Sequence, residues 1–293
     1  MHTTGLISCV WHESSLILRR IIPYLVWPGL LGISGLFAAL LLNQNLGVGN
    51  VLLATLFFSL ACMGLLEALM PFRRDWRGIR REWLSNGIYF LLNGLNGNLA
   101  KVVAAVIAIG LAPEQTGVPL LIAVPAAVLI GSFTAYWWHR LGHRFALLWR
   151  LHGVHHVPEK LFMFNNNTVH FLDLLISGIL TTLPLLVLGF SEQAIAIALF
   201  LGNFQGFFNH LNVDARMGIL GYLFMGPEHH RFHHSQRTEE ALNFGSELAI
   251  WDQLFGTFLY RPGGQPVRIG ISQPNEFPED VELLQSFLYP FRR

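Results

Sequence analysis

Four segments of the chain are apolar over the length that a helix needs to cross a membrane. A spanning helix requires about 20 predominantly apolar residues, and residues 21–42, 51–70, 86–112 and 118–138 all meet that requirement. Only 13% of the 293 residues are charged, whereas soluble domains carry about 25%. A large soluble core built from these helices would leave too few charges for its surface. The sequence therefore predicts a polytopic membrane protein.

Two shorter apolar segments follow the fourth predicted span. Residues 174–190 and 194–208 are predicted to form a helical hairpin, which either crosses the membrane or only enters it. The third span is the least regular of the four, because it contains Asn93, Asn96 and Lys101.

Arginine is concentrated in one set of connecting loops. Cytosolic loops of membrane proteins are enriched in Lys and Arg. Arginines precede the first span and follow the second and the fourth, whereas loops 43–50 and 113–117 contain neither Lys nor Arg. Both termini are therefore expected in the cytosol. The early His12 and Glu13, without a small-residue cleavage site, argue against a cleavable signal peptide.

The arginine-rich segment 71–83 alternates basic and aromatic residues. One interpretation is an interfacial helix, with Phe72, Trp76, Ile79 and Trp83 facing lipid and the arginines facing head groups. The other interpretation is a solvated basic loop.

Composition excludes several other classes of protein. The net charge of +1 excludes a strongly basic nucleic-acid binder. Two cysteines, Cys9 and Cys62, cannot form a disulfide scaffold or a four-thiolate metal site.

Histidine is the unusual residue of this chain, because 11 of its 13 histidines follow residue 138. Eight of them form three clusters with helical spacing, so that members of a cluster share a helix face. These eight are His139 and His143; His152, His155 and His156; and His230, His233 and His234. Three single histidines, His170, His210 and His229, are further candidates, and His229 has a substrate-side role beside Glu228 as its alternative. The early His2 and His12 are expected to be structural.

Clustered imidazoles in a water-poor place each need a polar partner, and a metal ion is a partner that all can share. Neutral imidazole is a common ligand of iron, zinc and copper. The nitrogens are too many for one four-coordinate ion, so the spacing favours two metals. No HExxH sequence is present, which removes the usual zinc-peptidase arrangement. A metal-handling membrane protein is the alternative from another class, but ligands near mid-membrane would be expected of it.

At these residues the chain resembles the fatty acid hydroxylase superfamily, also called the sterol desaturase family. The resemblance runs from about residue 71 to residue 259. It is carried by the three histidine clusters in order, by Trp149-Arg150-Leu151-His152, and by Trp251-Asp252 followed by Phe255-Gly256-Thr257-Phe258. The chain departs from many members at Val157 and at His170-Phe171, and from some members at Gly206.

The resemblance implies an integral-membrane di-iron oxygenase. Such enzymes use O2 to hydroxylate or desaturate a C–H bond of a lipid such as a fatty acyl chain, sterol or sphingolipid. The eight clustered histidines would be iron ligands, and His210 falls where many members have another. A non-catalytic lipid-binding member is the alternative within the family. No nucleotide-binding or haem-binding motif is present, so a separate ferredoxin, or a b-type cytochrome with its reductase, is expected to supply electrons.

The expected fold class is all-α: about four spanning helices plus a re-entrant or short hairpin, with a cytosolic histidine-rich helical cap. Three parts are expected, namely N-terminal transmembrane helices over 1–70, a hydroxylase-like domain over 71–262, and a tail over 263–293. Residues 263–272 are expected to be irregular, and residues 277–291 to fold back on the membrane.

Overall fold

The computed structural model describes residues 3–272 and 277–292, with side chains from residue 20 onward. His2 and the side chain of His12 therefore lie outside the described residues. Ten α-helices occur in the described ranges, and the only strand-like features there are three isolated bridges. The helices are α1 Thr3–Leu42, α2 Val48–Leu69, α3 Arg80–Ala108, α4 Leu120–Arg144, α5 Ala146–His152, α6 Phe171–Val187, α7 Glu192–Asn209, α8 Pro227–His233, α9 Ile250–Leu254 and α10 Leu283–Leu288.

Four helices are long and apolar enough to span a membrane, as the sequence predicts. They are Arg20–Leu42 of α1, and the whole of α2, α3 and α4. Large apolar side chains lie exposed on their outer faces, for example Leu95 at 68% and Leu121 at 88%. Exposed leucine over this length is stable in a lipid environment but not in water. The prediction of an all-α membrane bundle is confirmed.

The polar residues of α3 bind the loop and helix that follow the second histidine cluster. The Asn96 side-chain amide donates to the Phe171 carbonyl at 2.7 Å, and that of Asn93 donates to the Asn167 carbonyl at 2.9 Å. Helix α6 then packs closely on α3, because a Cβ at Gly178 would lie only 2.8 Å from the Cβ of Ala100. The asparagines that make the third span irregular in sequence therefore hold in place the loop and helix that follow the second histidine cluster.

The predicted hairpin is present as α6 and α7. The two helices are joined at Gly189, which has a φ of 75°, and Ser191 caps α7 by accepting a hydrogen bond from the Ala194 amide. Both helices pack against α4. Buried side chains from all three meet in one cluster, formed by Ala127, Leu185, Ile195 and Ala198.

The interfacial helix predicted over 71–83 is wrong. The segment contains only a short 3-10 turn at Arg74–Trp76, and α3 begins at Arg80. Glu82 sets that start, because its carboxylate accepts a hydrogen bond from the Ile79 amide at 2.8 Å. Trp76 is 6% exposed and packs with Leu161 in the cap rather than facing lipid.

The C-terminal tail is irregular over 263–272 except for a bridge between Ile269 and Ser235. It then returns to the membrane helices through α10, where the Phe287 and Tyr89 rings lie 5.8 Å apart. The tail therefore covers the histidine-bearing side of the bundle.

Candidate metal centre

The three histidine clusters meet where α4 leaves the bundle. His139 and His143 lie on the last turns of α4, one helical turn apart. The second cluster ends α5 and continues through a 3-10 turn at Gly153–His156, and the third lies on α8. The second and third clusters thus lie on helices of only one or two turns, which bring their three imidazoles together over a short stretch of chain.

Nine histidines form two groups, and within each group the converging ring nitrogens lie within 4.8 Å of one another. The first group contains His139, His143, His152, His156 and His233, and the second contains His155, His210, His230 and His234. We call them the five-histidine group and the four-histidine group. The second and third clusters each divide between the groups, so a shared helix face does not mean a shared group.

His210 joins the four-histidine group although it lies outside all three clusters. It is placed by the end of α7, directly after Asn209. The sequence offers His210 as a further candidate, and its position at the C-terminal end of α7 brings it to the other three rings of this group.

His170 and His229 belong to neither group among the described residues. His170 caps α6: its Nδ1 accepts from the Leu172 amide at 3.1 Å, and its Nε2 donates to the Phe287 carbonyl at 3.2 Å. His229 stacks on the Tyr260 ring with the centroids 4.3 Å apart. Both side chains are thus directed away from the two groups.

Backbone carbonyls fix the tautomer of three histidines. The Nδ1 atom of His139 donates to the Phe244 carbonyl at 2.7 Å, and that of His233 donates to the Leu242 carbonyl at 2.9 Å. His155 donates in the same way to the Thr168 carbonyl at 3.1 Å. A carbonyl can only accept, so the proton is on Nδ1, and the Nε2 of the neutral ring is a bare lone pair.

Side chains fix two more rings. His152 Nδ1 lies 2.9 Å from the Asp173 carboxylate, which also accepts from Trp138 Nε1 at 2.6 Å. His210 Nδ1 donates to the Asn165 side-chain oxygen at 2.9 Å. Carboxylates and amides behind metal-binding imidazoles orient the ring and raise its basicity.

The bare nitrogens face one another at the spacing of ligands around one ion. In the four-histidine group the Nε2 atoms of His210 and His230 lie 2.9 Å apart, and those of His210 and His155 lie 3.3 Å apart. Nitrogens bound to a common ion at about 2.0–2.1 Å are separated by about 3 Å. His155 and His210 both lack a proton on Nε2, so without a cation between them their lone pairs would repel.

The five-histidine group leaves buried nitrogens without partners. The Nε2 atoms of His139, His143 and His233 are buried and make no hydrogen bond to any described residue. A buried nitrogen with no partner destabilises the folded protein, because it has lost its hydrogen bonds to water, unless a proton donor or a metal ion binds it. The donor chemistry of both groups therefore fits metal ions.

Burial favours the neutral form of five of these rings. Desolvation lowers the pKa of His155 to about 4, and it lowers the pKa values of His156, His210, His233 and His234 well below the ordinary range. Neutral imidazole is the form that binds metal, so the site is ready for ligation at pH 7.

Two carboxylates position ligands through the backbone. Asp252 accepts from the Phe244 and Gly245 amides at 2.7 and 2.8 Å, and so holds the carbonyl that orients His139. Glu67, in α2, accepts from the Met163 amide at 2.6 Å and the Asn212 amide at 2.7 Å. Sequence reasoning assigned Glu67 no role, although an acid inside an apolar span is itself a signal.

A polar cavity of about 650 Å3 is lined by residues that follow the second and third clusters in the sequence, such as Val157 and Gln236, and by part of the C-terminal tail. Its lining includes Arg73, Lys160 and Arg268 together with Glu82, Glu159 and Asp280. Lys160 pairs with Glu82 at 2.8 Å, and burial together with the nearby Glu82 raises the pKa of Asp280. The cavity therefore offers both signs of charge.

Comparison with known proteins places this centre in context. The model of the fatty acid hydroxylase family matches residues 124–257, which include all nine grouped histidines. An ornithine lipid hydroxylase of Rhizobium tropici is 32% identical over 280 residues, covering 89% of this chain and 82% of that protein. No solved structure matches the chain significantly.

More distant relatives match only in part. Human alkylglycerol monooxygenase is 29% identical over 54% of this chain, and the matched region is 35% of that protein's length. Methylsterol monooxygenase 1-3 of Arabidopsis thaliana is 26% identical over 44% of this chain, which is 45% of its own length.

Proposed function

The chain belongs to the fatty acid hydroxylase family, and we propose that it holds two iron ions in its two histidine groups to hydroxylate a C–H bond of a membrane lipid. As a member of that family it is an oxygen-dependent lipid monooxygenase. The observation that supports the iron pair is the convergence of nine imidazoles, seven of them buried and five of them fixed with Nε2 bare.

The nine grouped histidines are the ligands in this proposal. Two bound irons supply the reduction and cleavage of O2. The chain's own residues orient the imidazoles, keep them neutral and exclude water from the space between them. His170 and His229 are assigned supporting roles, His170 as the cap of α6 and His229 in the stack with Tyr260. Desaturation of the same C–H bond is the alternative outcome of this chemistry.

Electrons come from a separate protein in this proposal, a ferredoxin or a b-type cytochrome with its reductase. The metal centre and both termini are proposed to face the cytosol, where such donors are found. The arginine-rich loops on that side support the orientation. Purified chain with NAD(P)H alone is then expected not to turn over.

The substrate is proposed to be a lipid with an amino-acid head group. The ornithine lipid hydroxylase matches nearly the whole chain, and the mixed-charge cavity supports the same class, because an ammonium and a carboxylate would both find partners among Asp280, Glu159 and Arg268. Purified enzyme with its electron donor would be offered ornithine lipid, an alkylglycerol and a methylsterol in parallel. Addition of one oxygen to the last two alone would contradict this choice of substrate.

The iron pair is tested by metal analysis of detergent-purified protein. About two irons per chain are expected by mass spectrometry, and both should be lost in a His155→Ala/His233→Ala double variant, which removes one ligand from each group. His229→Phe is the matched control, since it keeps the stack on Tyr260 and should keep the iron. No bound metal in the unaltered chain after iron reconstitution would overturn the proposal, as would unchanged iron in the double variant.

A metal carrier is the competing function. It requires ligands along a path across the membrane, yet the loops 43–50 and 113–117 contain no histidine. The convergence of all nine rings at one end of the bundle favours the enzyme.

A further inference from the structure

Two segments that flank the third histidine cluster form a strongly apolar surface. Residues 218–223 lie before the cluster and residues 250–254, which form α9, lie after it; together we call them the apolar lip. The Ala249 amide donates to the Leu223 carbonyl at 2.9 Å, and Phe224 and Leu248 form an isolated bridge, so the two segments are neighbours.

The lip exposes large apolar side chains to the same degree as the spanning helices do. Ile219 is 86% exposed, Leu254 67% and Tyr222 56%. The single charged residue in these segments, Asp252, is fully buried, and the Gln253 side-chain amide is occupied by backbone carbonyls. In water such a contiguous patch would be unfavourable.

Contacts with α1 place the lip below the level of the charged helix ends. The Arg216 amide donates to the Pro23 carbonyl, and the Phe224 and Trp27 rings lie 4.7 Å apart. Trp27 lies seven residues beyond Arg20, which is about 10 Å along the helix axis at 1.5 Å per residue. The first lip segment therefore descends beside α1 into the zone that the apolar span occupies.

Contacts with α4 give the same depth independently. Trp251 Nε1 donates to Ser132 Oγ at 2.9 Å, and its ring meets that of Phe133 with the centroids 4.9 Å apart. Ser132 lies eight residues before Arg140, which is about 12 Å along α4. Phe133 is itself 38% exposed on the outer face of the span, so the apolar surface of α4 continues directly into the lip.

We infer that the apolar lip is inserted among the acyl chains of the leaflet on the metal-bearing side. The bilayer is its partner because the lip is continuous with a spanning helix, lies about 10 Å inside the charged ends, and exposes no charged side chain. The segments before and after the third histidine cluster are thus anchored in lipid, and the cluster between them is held at the membrane surface. Insertion of the lip does not require that the histidine groups hold a metal.

Fluorescence quenching in vesicles tests the inference. Full-length chain with Cys9→Ser and Cys62→Ser would carry Ile219→Cys or Leu254→Cys, labelled with a small fluorophore and reconstituted in phosphatidylcholine–phosphatidylglycerol vesicles. Val267→Cys is the matched control, since Val267 is 80% exposed but lines the polar cavity. Labels on the lip should be quenched severalfold more by nitroxide-bearing acyl chains than by aqueous iodide, and the label at residue 267 should show the reverse.

Iodide quenching at residues 219 and 254 equal to that at 267 would overturn the inference. So would protection from both quenchers with cross-linking between labelled chains, because a second copy of the protein would then cover the lip. Each variant is first required to have the metal content of the unaltered chain. Where one fails, Leu223→Cys or Ile250→Cys replaces it, since both side chains are exposed on the same surface.

Discussion

At the scale of single residues, the group behind each imidazole decides which nitrogen is free for a metal. His139, His155 and His233 have a backbone carbonyl behind them, and His152 has the Asp173 carboxylate. The carboxylate differs from the carbonyls because a side-chain substitution can remove it. His152 is therefore the ring whose orientation can be tested most directly.

Replacing Asp173 with alanine should weaken metal binding without removing a ligand. The change takes away the acceptor of His152 Nδ1 and of Trp138 Nε1, and the loss of such a partner typically lowers metal affinity or activity about 10–100-fold. Iron content at limiting iron and turnover would be measured. Asp173→Asn, which keeps an acceptor oxygen, should recover part of the loss.

Asp214→Ala is the control for that experiment. Asp214 pairs with Arg216 at 3.1 Å on a partly exposed surface and makes no hydrogen bond to a grouped histidine, so its loss should leave iron binding unchanged. Equal iron affinity in Asp173→Ala and the unaltered chain would show that His152 needs no orienting acceptor.

Most of the histidines that converge in the two groups were predictable at this scale, but their hydrogen-bond partners were not. The spacing of His139 and His143 placed both on one helix face, as observed. The carbonyl that orients His139 belongs to Phe244, 105 residues away, and no local pattern reports a contact of that separation. His155 belongs to a different group from its sequence neighbours His152 and His156. That assignment depends on where α7 and α8 place the other histidines, which the local sequence does not show.

At the scale of helices, α2 contributes to the metal centre although it carries no histidine. The carboxylate of its Glu67 accepts hydrogen bonds from the Met163 and Asn212 backbone amides. One of these amides lies in the turn that carries Asn165, and the other lies two residues after His210. The acid thus holds both members of the hydrogen-bonded pair His210–Asn165 in place.

Replacing Glu67 with alanine should destabilise the four-histidine group in particular. Two buried amides would lose their acceptor, at a cost of about 1–3 kcal/mol each. Iron content should fall from about two towards one per chain, with a changed iron spectroscopic signature. Glu67→Gln keeps a carbonyl oxygen and should restore most of the second iron.

Ser59→Ala is the matched control in the same helix. It removes the 2.8 Å hydrogen bond between Ser59 and Ser34 that joins α2 to α1, but touches neither loop that Glu67 holds. Loss of iron in Ser59→Ala equal to that in Glu67→Ala would show that general weakening of α2 explains the effect.

Helix positions were predicted better than helix ends. Apolar length located all four spans, but α3 begins at Arg80 rather than at residue 86 because Glu82 caps it there. The failed prediction over 71–83 has a related cause. A pattern of aromatic and basic residues is compatible with a membrane surface and with packing inside a protein. In the structure, Trp76 is buried against Leu161 of the same chain.

At the scale of the whole molecule, the charge distribution predicts which end of the bundle faces the cytosol. A fluorescent protein fused after Arg293 should fold and fluoresce, whereas alkaline phosphatase inserted in the loop at residues 113–117 should be active, because it folds only outside the cytosol. The basic loops all lie at the end that carries the histidines. Active phosphatase at the C-terminus with an inactive insertion at 113–117 would reverse the proposed orientation.

The order in which the metal-binding residues occur along the chain has a consequence for biosynthesis. The five-histidine group spans His139 to His233, and His139 is oriented only when Phe244 and Asp252 are present. A ribosome will therefore have delivered α1 to α4 to the insertion machinery long before either histidine group is complete. In the proposed enzyme, iron loading would therefore be a late event of maturation, because a nascent chain halted before residue 233 lacks one histidine of each group.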